Sequence, residues 1–219
     1  MHNCIFTPHC IEPICDRSCP VLVETSYLLE RNNIDIDSEV FRASDSEISK
    51  MVYVLDKFNG KSGGYVVPDT VKFSELLTYV AICKNWKGSK LHCTVYNLKF
   101  SKYLDELKQS WSLKSESESL EYMKIWSESS KVLIISNFDY VNFGDFESQT
   151  LLNLIQSRSL NKLTTILVSP EPRQLVSTKN SNFFSIILSK YLSYNRLASS
   201  ESSDTIFYNK QNATGGSEK

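Results

Sequence analysis

The run Val132-Leu-Ile-Ile135, inside the stretch KVLIISNFDYVNFGDFESQ (Lys131–Gln149), constrains the fold more than any other feature of the chain. A short continuous apolar run between polar flanks reads as a strand buried on both faces, and such strands lie inside parallel sheets covered by helices. The run stops at Ser136 and Asn137. In a parallel sheet the groups just past a strand end face the edge where ligands are bound.

The rest of the chain supplies the alternating helices and strands that a parallel sheet needs. Pro20 suits the first turn of a helix to about Arg31, packing through Leu22, Val23, Leu28 and Leu29. Asn32–Val40 reads as a linker. Ser44-Asp-Ser-Glu47 has the form of a capping box, with Ile48, Val52 and Leu55 following at helical spacing. Gly60 and the Gly63-Gly64 pair are read as ending that helix, before a strand at Tyr65–Val67. Phe73, Leu77, Val80 and Ala81 trace one face of a helix over Thr70–Trp86, and Leu91–Tyr96 is a second strand. Helices near Leu98–Gln109 and Ser117–Ser127 lead to Val132–Ile135. A helix near Glu147–Arg158, a strand at Leu163–Val168, helical patterns near Arg173–Thr178 and Asn182–Tyr194, and a last strand at Asp204–Tyr208 complete the pattern. The expected architecture is a three-layer α/β domain with a five-stranded parallel sheet over residues 41–210. A Cys-rich element with its helix occupies 1–40, and 211–219 is a polar tail expected to be disordered.

Charge and hydropathy exclude several classes. The 24 basic residues nearly balance 25 acidic ones, so no global basic field attracts nucleic acid. No apolar run approaches the roughly 18 residues of a membrane span, and the start of the chain lacks the basic and apolar regions of a secretory signal. A cytosolic protein without a membrane partner is expected, and Asn212-Ala-Thr214 is discounted as a glycosylation site.

Four of the six cysteines, Cys4, Cys10, Cys15 and Cys19, crowd the first nineteen residues as C-x5-C-x4-C-x3-C. In a reducing compartment this crowding reads as a metal site, and four thiolates are a common structural zinc set. His9, beside Cys10, is an alternative ligand, as is His2; reduced thiols on a flexible arm are the plainer reading. Cys83 and Cys93 read as core residues, and His92 as a residue on a strand surface.

The opening CIFTPHCIEPICDRSCPVLVETSYLLERNNI and the later GDFESQTLLNLIQSRSLNKLTTILVSP resemble phage-encoded replication proteins of the DnaC/DnaI helicase-loader type. In these a Cys-rich start and a "YLL" helix precede an AAA+ ATPase domain. The resemblance implies a five-stranded AAA+/P-loop-like core. Its partner would be a replicative helicase or a related loader, engaged through the N-terminal region. It also sets a motif standard that this chain does not meet. A P-loop reads G-x-x-x-x-G-K-[ST], whereas Val66–Phe73 has valine at both glycine positions, Phe73 at the Mg²⁺ ligand, Pro68 and Asp69 in the loop, and only the lysine, Lys72, in place. Ser136 and Asn137 stand where the family carries acidic residues. Pro170 follows the fourth strand where loaders carry Asn, and Asn182–Ile186 lacks the family's arginines, with Arg196 out of register.

A metal clamp or arginine finger each contributes orders of magnitude to phosphoryl transfer. The chain is therefore expected to be a pseudo-ATPase that uses no ATP, acting as an adaptor in phage or mobile-element DNA replication. Lys72 would be a vestige of the phosphate loop, a position where a solvated surface lysine is the plainer reading. The alternative is a divergent but active ATP-dependent loader working through Lys72 and Asp139. Phe138, Tyr140, Phe143 and Phe146 after the central strand would either stack on single-stranded DNA or fill the core, and packing is favoured because basic residues are missing beside them.

Overall fold

A computed structural model of the chain describes residues 20–34, 44–58, 63–66, 68, 72–86, 94–138, 141–169 and 193–195. In chain order the elements are α1 (Pro20–Arg31), α2 (Asp45–Phe58), β1 (Gly63–Val66), α3 (Phe73–Trp86), β2 (Val95–Lys99), α4 (Phe100–Leu113), α5 (Glu118–Ser129), β3 (Val132–Ser136), α6 (Asp145–Leu160), β4 (Thr164–Val168) and β5 (Ser193–Asn195). The sheet runs β2-β3-β4-β1-β5, with every pairing parallel.

The central apolar run forms β3 as expected, with a neighbour on each side: Leu133 lies opposite Tyr96 of β2 and Thr165 of β4. Side-chain alternation divides the interior into two cores. Val95, Ile134, Ile166 and Val168 face α1, α2 and α3, where Leu29, Met51, Val54, Phe58, Leu77 and Ile82 are buried. Tyr96, Leu98, Leu133, Ile135 and Leu167 face the opposite way, toward α4, α5 and α6. The expected three-layer arrangement is present.

Three expectations are corrected. Among the described residues the fifth strand is the three-residue β5, which pairs with β1 beside four strands of four or five residues and begins inside a stretch read as helical. The predicted fifth strand at Asp204–Tyr208 lies outside the described residues. Gly63 and Gly64 do not end α2; they are the first residues of β1. Gly63 has φ 150°, a backbone state that side chains disfavour. A Cβ on Gly64 would fall 1.6 Å from Cε1 of Phe58, so the ring that ends α2 packs directly on the strand backbone. Finally, β2 runs on through Asn97 to Lys99, past its predicted end at Tyr96.

Helix α1 packs against the same side as α2 and α3, and the turn after it is buried rather than a free linker: Asn32 and Ile34 are 2% and 3% exposed. Asn32 reaches the outer edge of β2. Its Oδ1 accepts from the Asn97 N–H at 2.7 Å, and its Nδ2 donates to the Val95 carbonyl at 3.3 Å and to the Leu28 carbonyl at 2.7 Å. Beside it, the Arg31 guanidinium lies 3.2 Å from the centroid of the Trp126 ring of α5 and donates to the Tyr122 hydroxyl. At α2 the predicted capping box is made in both directions. The Ser44 N–H donates to Glu47 Oε2 at 2.8 Å, and the Glu47 N–H donates to Ser44 Oγ at 3.3 Å. The Ser44 N–H and hydroxyl, both donating to Glu47 Oε2, hold the Glu47 carboxyl below its usual range.

Candidate functional site

Because all the strands are parallel, the ends of β1, β3 and β4 share one edge of the sheet, where α/β proteins place ligands. The ends of β1 and β4 are tied together there by the Ser169 N–H, which donates to the Val66 carbonyl at 3.2 Å.

Ser136 closes β3 and is buried on the side of α1–α3, 3% exposed. Its hydroxyl donates to Asn97 Oδ1 at 2.9 Å. Asn97 Nδ2 makes a longer 3.5 Å contact to the Ser74 carbonyl in the first turn of α3, while the Asn97 N–H is held by Asn32. A neutral chain Asn32–Asn97–Ser136 thus runs from the end of α1 to the end of the central strand. The next residue, Asn137, adopts a left-handed conformation with φ 62° and turns outward into solvent. An amide side chain tolerates that backbone state, and the chain turns away from the sheet here.

The aromatics that follow β3 turn inward. Phe138 and Phe143 are buried, stacked on each other with centroids 6.1 Å apart, and both contact Phe100 at the start of α4. Their predicted role in packing is observed. Phe146 packs edge-on against Trp111 of α4 at 4.6 Å, and Tyr140 lies outside the described residues. Helix α4 lies against the starts of both following helices. Lys108 pairs with Glu147 of α6 at 2.9 Å, and the Ser117 hydroxyl, which caps α5, donates to Glu106 at 2.7 Å. Burial opposes the charge on Glu147, but Lys108 and the Gly144 N–H outweigh it and keep the carboxyl below its usual range.

Lys72 stands just before α3, exposed, with its carbonyl accepting the first helical bond from the Leu76 N–H at 2.9 Å. The order strand, loop, lysine, helix is that of a phosphate-binding loop. The surrounding chemistry differs. Glu75 occupies the first turn of α3, where a phosphate would need the positive helix end, and Phe73 is fully buried. A hard cation such as Mg²⁺ takes oxygen ligands, commonly carboxylates. At the end of β3 it meets a serine hydroxyl already donated to an asparagine. Of the groups a magnesium-bound triphosphate requires, the described residues at these strand ends supply Lys72. Asp139, Pro170, Asn182–Ile186 and Arg196 lie outside the described residues. So do Cys4, Cys10, Cys15 and Cys19 with His9 and His2. Among the described residues no group of three or more His, Cys, Asp or Glu side chains is placed to hold a metal.

A second buried polar centre lies at the opposite end of the sheet and escaped sequence reasoning. Arg158, in the last turn of α6, is fully buried. It donates through Nε to Thr165 Oγ1 at 2.9 Å, through Nη1 to the Ser127 carbonyl at 2.7 Å and through Nη2 to the Thr164 carbonyl at 2.7 Å. Burial lowers its pKa to about 10, which still leaves it charged at neutral pH. Its charge sits at the negative ends of α5 and α6, which favour a cation. The inward series Leu151, Leu154, Ile155, Arg158 has helical spacing and was the available signal.

No protein-family model matches the chain, and no curated protein matches it in sequence. Among solved structures, domain III of the replication initiation protein DnaA from Thermotoga maritima aligns with 73% of this chain and 65% of its own length, at 14% identity and TM-score 0.51. AMPPCP-bound DnaA from Aquifex aeolicus aligns at 11% identity over 65% of this chain and 45% of its own, TM-score 0.47. A structure described as a DNA replication initiation factor aligns at 11% identity over 69% and 46%, TM-score 0.49. The chain thus spans just under two thirds of the Thermotoga domain structure it matches. The similarity establishes the fold alone: a parallel α/β domain like domain III of the Thermotoga DnaA.

Proposed function

We propose that the chain is a replication-initiation-related, AAA+-like adaptor that works without hydrolysing nucleotide. It would contact a replicative helicase or a related loader, through an N-terminal element that Cys4, Cys10, Cys15 and Cys19, with His9 as an alternative ligand, organise around structural zinc. The reading rests on one observation above all. The position that should carry an acidic metal ligand is Ser136, and its hydroxyl is committed to Asn97 inside the protein. A phage or mobile-element setting follows from the sequence resemblance alone.

The competing reading is a divergent, active loader. Its support is the placement of Lys72 at the start of α3, after β1. Size-exclusion chromatography with light scattering, run on the full chain mixed with the replicative helicase of its host, separates the two. A complex formed without nucleotide, and lost on zinc chelation or in Cys15→Ser, is the expected result. A complex that needs ATP, together with measurable hydrolysis abolished by Lys72→Ala, overturns it in favour of the active loader.

A further inference from the structure

The end of α1 and the outer face of α5 meet around a single cation. The Arg31 guanidinium lies 5.6 Å from the Tyr27 ring of its own helix, and 5.5 Å and 3.2 Å from the Tyr122 and Trp126 rings of α5. It also donates to the Tyr122 hydroxyl. All three rings are within cation–π range, so one guanidinium gathers side chains of two helices into a continuous surface. That surface is open on its outer side: Tyr27 is 59%, Tyr122 37% and Ile125 53% exposed. Apolar patches rimmed by polar groups mark docking sites, and tyrosine is enriched in them.

The rim indicates what docks. Helical spacing sets Glu30 beside Tyr27 on α1, and Glu118 and Glu121 beside Tyr122 and Ile125 on α5. All three acids are exposed. Glu30 stands in the last turn of α1, where the negative helix end disfavours a carboxylate, so the stability of α1 does not explain it. Lys124, the basic residue of α5, is paired with Glu116, and Arg31 is engaged by the rings. The surface is therefore aromatic at its centre and acidic on both flanks. Nucleic acid would meet repulsion from these carboxylates. A partner strand has no edge to join, because the turn at residues 32–34 covers β2 and the backbone groups of both helices are paired within them. Recognition is left to side chains, the mode in which an amphipathic helix lays its apolar face on a partner.

We propose that the α1–α5 face binds a basic amphipathic helix of a partner protein. Apolar side chains of that helix rest on Tyr27, Tyr122 and Ile125, and its Lys or Arg side chains pair with Glu30, Glu118 and Glu121. The site lies outside the Cys-rich segment, needs neither zinc nor nucleotide, and goes beyond the adaptor reading without depending on it. The probe is a fluorescein-labelled peptide with leucine along one helical face and lysine on both flanks, mixed with the full-length chain and followed by anisotropy. Its twin carries glutamate at every lysine position. Saturable binding of the lysine peptide alone is expected, falling with added salt. Ile125→Ser should weaken it about tenfold, and so should Glu118→Lys combined with Glu121→Lys. Trp111→Ser, which removes another exposed ring on α4, should bind like the unsubstituted chain. The substituted side chains are exposed, so the variants should keep the fold, which circular dichroism checks. Equal binding of both peptides, binding of neither, or unchanged binding by the α5 variants overturns the proposal, as does an equal loss in Trp111→Ser. Self-association seen by light scattering and abolished by Ile125→Ser also overturns it, assigning the face to a second copy.

Discussion

Arg158 and Asn97 are both buried polar residues, each joining three elements, on opposite faces of the sheet and toward opposite ends of it. Arg158 brings a full charge into the interior and meets only neutral acceptors, Thr165 Oγ1 and the Ser127 and Thr164 carbonyls. Asn97 brings no charge and meets groups as neutral as itself. A charge compensated only by dipoles depends on all of them at once. A neutral network can lose one member and keep the rest. The charged centre therefore lies where β4 begins, and the centre at the end of β3 is built from neutral groups.

The contrast can be broken by experiment. Arg158→Ala takes the guanidinium away from Thr165 Oγ1 and the Ser127 and Thr164 carbonyls and opens a cavity, and should cost about 4 kcal/mol by urea denaturation. A loss no greater than that of Asn97→Ala would remove the distinction. Asn97→Ala should cost about 2 kcal/mol, since the Ser136 hydroxyl loses its acceptor while Asn32 keeps the backbone N–H. The double variant should be additive within about 0.5 kcal/mol, because the two centres share no partner. Ser136→Asp sharpens the functional side. Placing a carboxylate against Asn97 Oδ1 should destabilise the fold by about 2 kcal/mol, and should produce no ATP hydrolysis in a phosphate-release assay.

The smallest effect concerns the other end of α6. Glu147 caps that helix and pairs with Lys108, and its folded-state pKa lies below the ordinary value of 4.5. A depressed carboxyl contributes stability above the unfolded pKa and loses it as pH falls through the folded one. Glu147→Gln should therefore cost about 1 kcal/mol at pH 7. Thermal unfolding followed downward from pH 5 should show the two proteins converge below pH 4.5.

These effects also show which parts of the molecule could be read from sequence. β3, α6 and the Ser44–Glu47 capping box were readable because each is specified by neighbours along the chain: an apolar run, a helical period, a reciprocal bond over three residues. The second strand was expected to stop at Tyr96, because what makes Asn97 acceptable inside β2 is Ser136, 39 positions away. Gly63-Gly64 read as a helix stop because nothing local announces that the Phe58 ring needs bare backbone beneath it. Asn32 looked like linker for the same reason, its partners on β2 lying more than sixty positions on. At the candidate site, the absence of P-loop glycines and of an acid at the end of β3 was plain in the sequence. Where the Ser136 hydroxyl is spent was not.

The Arg158 contacts carry a consequence for the order of assembly. The donor and all three acceptors come from the single stretch 127–165, which contains the end of α5, β3, α6 and the start of β4. Nothing in that interaction waits for β1, β2 or the N-terminal helices. The stretch forms a compact unit of short loop closures with its own internal clasp, and such units form early because they surrender little chain entropy. Its amides should be the last to exchange with solvent, and the β1 side of the sheet should dock onto it as a finished surface.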